Sequence, residues 1–427
     1  MLKNHVEKNN LGFIGIDKCD WMNDLKEVRQ QIESSTTFIS GIELFMNWST
    51  EAYPHMYTEA VKAIQDRKLT NIDIGIIDIA TRAGSDICET LNISCIINNP
   101  DILAALRWFV LPPADYNPVS FLNNEMRIFG TSTFRRALLP VIRNYFTLKI
   151  WFTFDSRLNE LRKSVGLLKP RSSLTSYSSR VIIVNTAFGI EYNRPLPSNV
   201  HLTGPMFDMA RPREEFLNEL SAEDRQWIEF DSRPVIYVST GTLVSFTKEQ
   251  VDKLMTSLAS DKFRVIWRIV DNAVRSTNIP KSIRIVDWLS STRGHLAHEN
   301  VKVFISHCAV NSAYESIWLG TPIICLPFFA DQLDVGNQIH HAGVGILLDK
   351  FKFTSDQLTS SIYSLLNDRN YSMNIKRIQA LIKLHGGVER AVNIIETVAE
   401  FGSDIFILFG FYSFIFQQEY ANILFIG

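Results

Sequence analysis

One stretch of the chain, residues 288–332, constrains the fold more than any other. It contains two short runs of apolar and β-branched residues, 301–306 and 323–327, and the segment between them has helical spacing. Short apolar runs are typical of strands buried in a parallel sheet, and parallel neighbours need a crossover connection that is usually a helix. The stretch therefore predicts a strand–helix–strand unit of an α/β protein.

Small polar residues lie between the first strand and the helix. His307 comes directly after the strand, and Asn311 and Ser312 are good helix-starting residues. The free amides and the dipole at the amino end of a helix attract anions. Asp331 and Gln332 follow the second strand, at the carboxyl edge where ligands of open α/β sheets bind. The pattern predicts a phosphate-binding site with polar side chains beside it.

The rest of the chain alternates between strand and helix patterns. This alternation predicts doubly wound parallel sheets, and a length of 427 residues suits two domains of medium size. Helical patterns lie at 21–68, 85–91 and 101–170 and start again at 386. Strand patterns lie at 11–16, 72–78, 94–97, 181–185, 199–205, 234–239, 263–269 and 283–286.

Composition excludes some classes of function. The net charge is −2 and there is no basic tract, which argues against a nucleic-acid partner. The five cysteines are scattered and odd in number, a pattern that predicts reduced thiols. The N-terminal residues 1–10 have no apolar core and are no signal peptide, which predicts a cytoplasmic location for the sequence as it stands.

The C-terminal residues 401–427 form an apolar segment of their own. Residues 405–416 are almost wholly apolar, 417–419 interrupt them, and 423–426 are apolar again. Because about 20 apolar residues are needed to span a bilayer, the run is short for a membrane helix. We interpret it as a packing segment or a peripheral membrane contact. The second interpretation is a truncated anchor, which would associate the chain with an endomembrane.

Residues 288–332 resemble the nucleotide-sugar signature of the UDP-glycosyltransferase superfamily, glycosyltransferase family 1. In that family a Trp begins the signature, and a His-Cys-Gly or His-Gly-Gly turn, Asn-Ser, Glu, Pro and a final Asp-Gln follow it. The resemblance implies a GT-B fold, in which two Rossmann-like domains with parallel sheets face each other across a cleft. The matching residues are Trp288, His307, Cys308, Asn311, Ser312, Glu315, Pro322, Asp331 and Gln332.

The same resemblance implies how the chain is divided. Residues 1–205 are expected to form the acceptor-binding domain, 206–232 a linker, and 233–400 the domain that binds the UDP-sugar, before the apolar segment 401–427. Residues 1–16 resemble the part of the N-terminal domain that follows its first strand, so that strand is expected to be missing. Residues 101–170 are expected to help line the acceptor pocket.

By resemblance, the donor site would hold the parts of a UDP-sugar separately. Trp288 would stack on the uracil ring, and Glu315 would accept hydrogen bonds from the ribose hydroxyls. Asp331 and Gln332 would bind the hydroxyls of the sugar. Residues expected at the diphosphate are His307, Asn311 and Ser312, and the Gly-Thr loop of the nucleotide domain, also expected in the donor site, is Gly241 and Thr242.

Five of these residues also have an ordinary structural alternative. Asn311 and Ser312 would then only cap the helix, and Trp288 would pack in the core. Asp331 and Gln332 would form a capped turn.

Two departures from the family signature concern the donor site. The loop after Trp288 is one residue longer and lacks the Gln that contacts ribose in the family. Ala309 replaces the Gly of the phosphate turn, where glycine allows unusual dihedrals and a close backbone approach. We therefore expect the Ala309 methyl group to weaken diphosphate binding.

The catalytic pair of the family is only half present. The family uses a His after its first strand as the base, and an Asp at the end of a later strand orients it. Asp78 stands in the place of that Asp, whereas neither His5 nor His55 has the context of the His. Asp78 is therefore either catalytic or structural.

The resemblance implies a UDP-glycosyltransferase that transfers a hexose from a UDP-sugar to a hydroxyl group of a small lipophilic acceptor, with inversion. The UDP-sugar is a co-substrate, and no metal or other cofactor is implied. The alternative is a catalytically impaired or truncated member that acts as a nucleotide-sugar-binding or regulatory module. A zinc site is not supported, because tetrahedral-site spacing is lacking among His295, His298, His307 and Cys308.

Overall fold

The computed structural model describes residue 31 and residues 47–69, 71–103, 153–241, 246–269, 279–328 and 331–406. Several predictions concern residues outside these ranges. They are the strand at 11–16, most of the acceptor-lining region 101–170, Thr242 of the Gly-Thr loop, and the apolar run beyond 406.

The first sheet belongs to the N-terminal half and has four parallel strands that are hydrogen-bonded in chain order. Ile96, Ile97 and Ile182 in these strands are completely buried, as expected of β-branched residues inside a parallel sheet. The strands are β1 (Gly75–Asp78), β2 (Cys95–Asn99), β3 (Ile182–Val184) and β4 (Val200–Leu202). The helices are α1 (Tyr53–Asp66), α2 (Gly84–Leu91) and α3 (Ser173–Ser178), and residues 153–164 are also helical.

Two short helices, α4 (Arg213–Phe216) and α5 (Ala222–Glu229), follow the first sheet, with a 3₁₀ turn at Leu217–Glu219 between them. They lie in the region predicted to be the linker, and they are fixed to the C-terminal half. The Arg213 side chain donates to the Ala297 carbonyl (2.9 Å), and the buried Arg264 donates to the Ile228 carbonyl (2.8 Å). The predicted linker is thus a bound part of the second half in this structure.

The second sheet has six parallel strands, β5 (Val235–Ser239), β6 (Arg264–Arg268), β7 (Ile283–Val286), β8 (Val301–Ser306), β9 (Ile323–Cys325) and β10 (Gly345–Leu347). Their order across the sheet is β10-β9-β8-β5-β6-β7. The winding reverses between β5 and β8, and ligands of open α/β sheets bind at such a switch point. The prediction of two parallel α/β sheets is confirmed. The helices of this half are α6 (Lys248–Leu258), α7 (Thr292–Ala297), α8 (Val310–Trp318), α9 (Gln332–His341) and α10 (Ser355–Asn367).

The second sheet is covered by apolar side chains on both faces. Tyr237 and Phe304 belong to one buried cluster, whereas their chain neighbours Val238, Val303 and Ile305 belong to another. Successive side chains of a strand point to opposite faces, so the two clusters are the two sides of the same sheet. A sheet that is buried on both faces explains why its strands are continuous apolar runs in the sequence.

The last helices connect the two halves. After α11 (Arg369–Leu384), helix α12 (Gly387–Phe401) begins at the residue pair where the sequence predicted a helix, and a 3₁₀ turn at Ser403–Ile405 follows it. Ile394 and Val398 of α12 pack with Ile96 and Ile183 of the first sheet. The boundaries of the domains at 205, 232 and 400 stay predictions.

Four of the five cysteines are paired, so the prediction of reduced thiols is wrong for these four. Cys88 in α2 is bonded to Cys95 in β2, and Cys308 after β8 is bonded to Cys325 at the end of β9. Their Cα atoms lie 6.4 and 5.3 Å apart, which a disulfide can span. The spacing in the sequence hid the second pair because β8 and β9 are neighbours only in the folded sheet.

In the described part of the chain, no helix combines the length and the apolar character that a membrane span requires.

Peptide mapping of the unreduced protein should recover both cross-links. Reduction should lower the free energy of unfolding by about 2–3 kcal/mol per bond, because closed loops of 7 and 17 residues are released. Urea unfolding with and without reductant measures this difference. Alkylation of Cys88, Cys95, Cys308 and Cys325 in denatured protein before any reduction would contradict the pairing.

Candidate functional site

The amino end of α8 lies at the carboxyl edge of the second sheet, directly after β8. Its N-cap residue is Ala309, and no side-chain cap is formed. The alternative that Asn311 or Ser312 caps the helix is therefore wrong, because both lie within its first turn. The Asn311 side chain is exposed and Ser312 is half-buried. Amides in the first turn have no partner within the helix, so this end is suited to an anion.

The backbone strain of the preceding turn lies on Cys308 and not on Ala309. Ala309 has φ −62° and ψ 147°, which any residue adopts, whereas Cys308 has φ 61°. A left-handed conformation costs a non-glycine residue about 1–2 kcal/mol. The backbone dihedrals at position 309 therefore do not require glycine in this structure. A glycine there would matter only because it lets a ligand approach the backbone closely.

His307 is buried beside this turn and is uncharged at neutral pH. Burial lowers the pKa of the His307 imidazole to about 4. Its Nδ1 lies 3.4 Å from the hydroxyl of Ser306. A neutral imidazole offers one N–H donor and one acceptor, so His307 can donate to a phosphate oxygen without carrying a charge.

Gly241 follows β5 and faces His307 across the switch point. Its φ of 74° favours glycine, and a Cβ placed on it would lie 2.9 Å from Cε1 of His307. Nη1 of Arg268, the last residue of β6, donates to the Gly241 carbonyl (2.6 Å). The structure thus brings Gly241 and His307 together, as expected for two residues of one donor site.

Trp288 presents its ring to solvent at the same edge. The side chain is 66% exposed, so the alternative that it packs in the core is wrong. The guanidinium carbon of Arg268 lies 4.9 Å from the ring centroid, a cation–π contact. An exposed aromatic ring that is held by a cation is available to a second flat ring.

Glu315 lies on α8, where its carboxyl group is largely buried and has the charged side chains of Arg293 and Glu219 nearby. Burial, together with the charge of Glu219, raises the pKa of its carboxyl group to about 7. The positive charge of Arg293 acts in the opposite direction and lowers this pKa. Nε of Arg293 lies 3.8 Å from Oε1 of Glu315 and 3.9 Å from Oε2 of Glu219. Glu315 therefore changes its charge near neutral pH.

Asp331 and Gln332 stand at the amino end of α9. Burial raises the pKa of Asp331 to about 6, whereas hydrogen bonds from the backbone amides of Asp331 and Val310 lower it. The Asp331 carboxyl group therefore lies next to the amino end of α8. Gln332 is buried, and its side-chain oxygen accepts a hydrogen bond from the Phe328 amide (2.8 Å).

Asp101 from the first half faces these residues. It follows β2, and its carboxyl group accepts a hydrogen bond from the Ile102 amide (2.6 Å). Burial raises the pKa of Asp101 well above its ordinary value, and the charge of Asp331 adds to this rise. The carboxyl edges of the two sheets therefore face one another at this point.

Hydrogen bonds join the two halves directly behind α8. The hydroxyl group of Tyr314 accepts from the Ala187 amide (2.8 Å) and shares a hydrogen bond with the Thr186 hydroxyl (2.7 Å). The amide group of Gln338 in α9 donates to the buried carboxylate of Glu191 (3.2 Å). The first half thus fixes the position of the two helices that carry Glu315 and Asp331.

Asp78, the candidate catalytic residue, lies at the carboxyl end of β1. Its Oδ1 accepts a hydrogen bond from the Ala80 amide (2.8 Å), which closes a local turn. Within the described ranges, no hydrogen bond or ion pair joins Asp78 to a histidine. The structure therefore gives Asp78 a local role and no partner base in this part of the chain.

A family model supports what this geometry suggests. The model described as UDP-glucoronosyl and UDP-glucosyl transferase matches residues 48–400. The chain belongs to this family. The resemblance of residues 288–332 to the UDP-glycosyltransferase signature is thereby confirmed.

The matches to individual UDP-glycosyltransferases span only part of this chain and about half of each relative. UDP-glucuronosyltransferase 1A6 of Oryctolagus cuniculus is 28% identical over 272 residues, which are 62% of this chain and 49% of the relative. A UDP-glycosyltransferase of Talaromyces amestolkiae is 28% identical over 274 residues, 56% of this chain and 49% of the relative. The chain spans about half the length of these relatives.

Solved structures show the same fold. UDP-glucose: anthocyanidin 3-O-glucosyltransferase in complex with UDP has a TM-score of 0.56 and 19% identity, covering 86% of this chain and 82% of that one. The glycotransferase of kitacinnamycin has a TM-score of 0.61 and 15% identity, covering 85% and 83%. The prediction of a GT-B fold is confirmed.

Three charged residues near the candidate site were not predicted from the sequence: Asp101, Arg268 and Arg293. Arg268 ends β6 and Asp101 follows β2, so their positions at carboxyl ends of strands were a usable signal. Arg293 had no such signal, because its contact with Glu315 joins two helices that are separate in the sequence.

Replacement of Gly241 by alanine should destabilise the protein more than replacement of Gly166. Both have φ near +80° and should lose about 1 kcal/mol for that reason. At Gly166 no atom lies within 4 Å of the new methyl group, whereas at Gly241 His307 must move. Urea unfolding should show about 1–2 kcal/mol more loss for Gly241→Ala. Equal losses would mean that the Gly241–His307 contact has no energetic weight.

Proposed function

We propose that this chain binds a UDP-sugar and transfers its hexose to a hydroxyl group of a small lipophilic acceptor, with inversion at the anomeric carbon. The observation that carries the proposal is the uncapped amino end of α8, with Trp288, His307, Glu315 and Asp331 around it. These are the kinds of side chain that a nucleotide, a diphosphate and a sugar require.

The diphosphate is the leaving group and becomes more negative as the bond to the sugar breaks. The amides and the dipole of α8 stabilise that charge from fixed positions. Neutral His307 adds a donor close to the turn. These groups suffice for the charge without a metal ion, so we propose a metal-independent reaction.

The nucleoside is held at both of its parts, the uracil ring and the ribose. Trp288 stacks on the uracil ring with its exposed face, while Arg268 fixes the ring from the protein side. The ionised carboxylate of Glu315 accepts the hydrogen bonds of the ribose hydroxyls. An isolated buried carboxylate is costly, and its position beside Arg293 is consistent with a binding role.

The sugar lies between the two halves, next to Asp331 and Gln332. The bond from the Phe328 amide occupies the Gln332 oxygen and orients its nitrogen as a donor. A carboxylate and an amide together read hydroxyl groups in both directions. Named relatives use glucuronosyl and glucosyl donors, and we propose a hexose of this kind for the present chain.

A second candidate function is a nucleotide-sugar-binding or regulatory module that does not catalyse transfer. The hydrogen bond of Asp78 to the Ala80 amide favours it, since a catalytic aspartate would orient a histidine instead. Both candidates bind UDP, and only the transferase releases it from a UDP-sugar when an acceptor is present.

Calorimetric titration of UDP should show binding that strengthens as the pH rises. Because the pKa of Glu315 is raised to about 7, its carboxyl group is protonated below that value and then accepts ribose hydroxyls poorly. Affinity should rise about tenfold from about pH 6 to about pH 8 in the wild type. Glu315→Gln is the control: it keeps the shape and removes the titration of Glu315, so any pH effect that it retains belongs to UDP or to Asp331, whose pKa is about 6. No UDP binding by the folded wild type contradicts the proposal.

Turnover separates the transferase from the module. UDP-glucose and UDP-glucuronic acid are incubated with a panel of phenols and sterols, and the UDP released is measured against acceptor-free controls. Release that depends on the acceptor and is lost in Asp331→Asn supports the transferase. Tight UDP binding with no release from any pair supports the module and overturns the transferase.

A further inference from the structure

The loop after Trp288 lacks the glutamine with which the family contacts ribose, and it is one residue longer. Ser291 closes this loop as the N-cap of α7, where its hydroxyl accepts from the Gly294 amide (3.0 Å). Arg293 is the second residue of α7. Arg293 is thus a charged side chain in the first turn of the helix that directly follows this loop.

Arg293 stands between two carboxylates without a close hydrogen bond to either. Its Nε is 3.8 Å from Glu315 and 3.9 Å from Glu219, and 37% of the side chain is exposed. The guanidinium carbon lies 5.6 Å from the ring centroid of Phe216. A guanidinium carries five N–H donors, and in the described part of the chain none of them makes a hydrogen bond. Donors are thus available at the edge of the nucleotide site.

The second carboxylate, Glu219, is fixed by other partners. The Ser291 hydroxyl donates to its Oε2 (2.5 Å), and Arg211 donates to its Oε1. Burial raises the pKa of Glu219, but these hydrogen bonds and the charge of Arg293 lower it below its ordinary value. Glu219 therefore stays ionised and holds the Arg293 side chain towards Glu315.

We propose that Arg293 is a specificity residue of the nucleotide site, which donates a hydrogen bond to the ribose in place of the missing glutamine. The inference rests on the proposed binding of UDP. As a consequence, the site should prefer nucleotides whose ribose carries both hydroxyl groups. The gain in affinity from Arg293 should depend on these ribose hydroxyls and not on the uracil or the diphosphate.

The charges around Glu315 support this role. Arg293 from α7, Glu219 from the segment between α4 and α5, and Tyr237 from β5 face its carboxyl group. Arg293 is the cation among them, and it opposes the effects of burial and Glu219 on the pKa of Glu315. Without it, Glu315 would hold its proton to a higher pH, and the carboxylate that accepts ribose hydroxyls would be scarcer at neutral pH.

The test compares UDP with 2′,3′-dideoxy-UDP, which lacks both ribose hydroxyls, by calorimetry at neutral pH. Arg293→Met removes the charge and the donors but keeps an unbranched apolar side chain close to the length of the aliphatic part of arginine. It should weaken UDP about tenfold, the size expected for a lost charge-assisted hydrogen bond, and change dideoxy-UDP less than about twofold. Arg293→Lys should recover part of the loss. Arg233→Met is the matched control, because Arg233 is also 37% exposed and precedes β5 at the opposite edge of the sheet.

The outcomes separate this inference from the proposed function. If the wild type does not bind UDP, the proposed function fails and the inference falls with it. If the wild type binds UDP but Arg293→Met weakens both nucleotides equally, or neither, only the role of Arg293 is overturned. A loss confined to UDP, with rescue by lysine and none in Arg233→Met, supports it.

Discussion

An uncapped helix end, held in place by parallel strands on both sides, determines what the rest of this structure can do. The amides of the first turn of α8 need partners: Ala309 supplies none from its side chain, and in the described part of the chain the Asp331 carboxyl group accepts from only one of them, the Val310 amide. The reversal of winding between β5 and β8 places this end in an open crevice. Tyr314, which bonds to the first half, keeps α8 from shifting. An anionic ligand is the partner that such an end favours.

Burial then sets the charges around that helix end. His307 is neutral because its pKa is lowered to about 4, whereas the pKa values of Glu315 and Asp331 are raised to about 7 and 6. At neutral pH the site therefore carries less negative charge than its composition suggests. Glu315 is then partly ionised and Asp331 mostly ionised, and in the ionised form each carboxylate accepts hydrogen bonds from hydroxyl groups.

Much of the fold and part of the site could be predicted from the sequence. Short apolar runs specify buried parallel strands, and a polar turn before a helix specifies its amino end. The position of Ala309 as the N-cap residue of α8 was not predicted, because it depends on the local dihedrals. The Cys308–Cys325 bond was not predicted either, because it depends on which strands are neighbours in the sheet. Arg293 was missed for a related reason, because it acts on a carboxyl group of another helix, whereas the position of Asp101 after β2 was a usable signal.

Hydrogen–deuterium exchange with UDP and with uridine tests most directly whether the amino end of α8 holds a diphosphate. Both ligands contain the nucleoside, and only UDP carries phosphate groups. We predict that UDP protects the amides of residues 307–313, that uridine leaves them unprotected, and that both protect the segment around Trp288. Equal protection of residues 307–313 by the two ligands, or none by UDP at saturation, would contradict the assignment of this helix end as the diphosphate site.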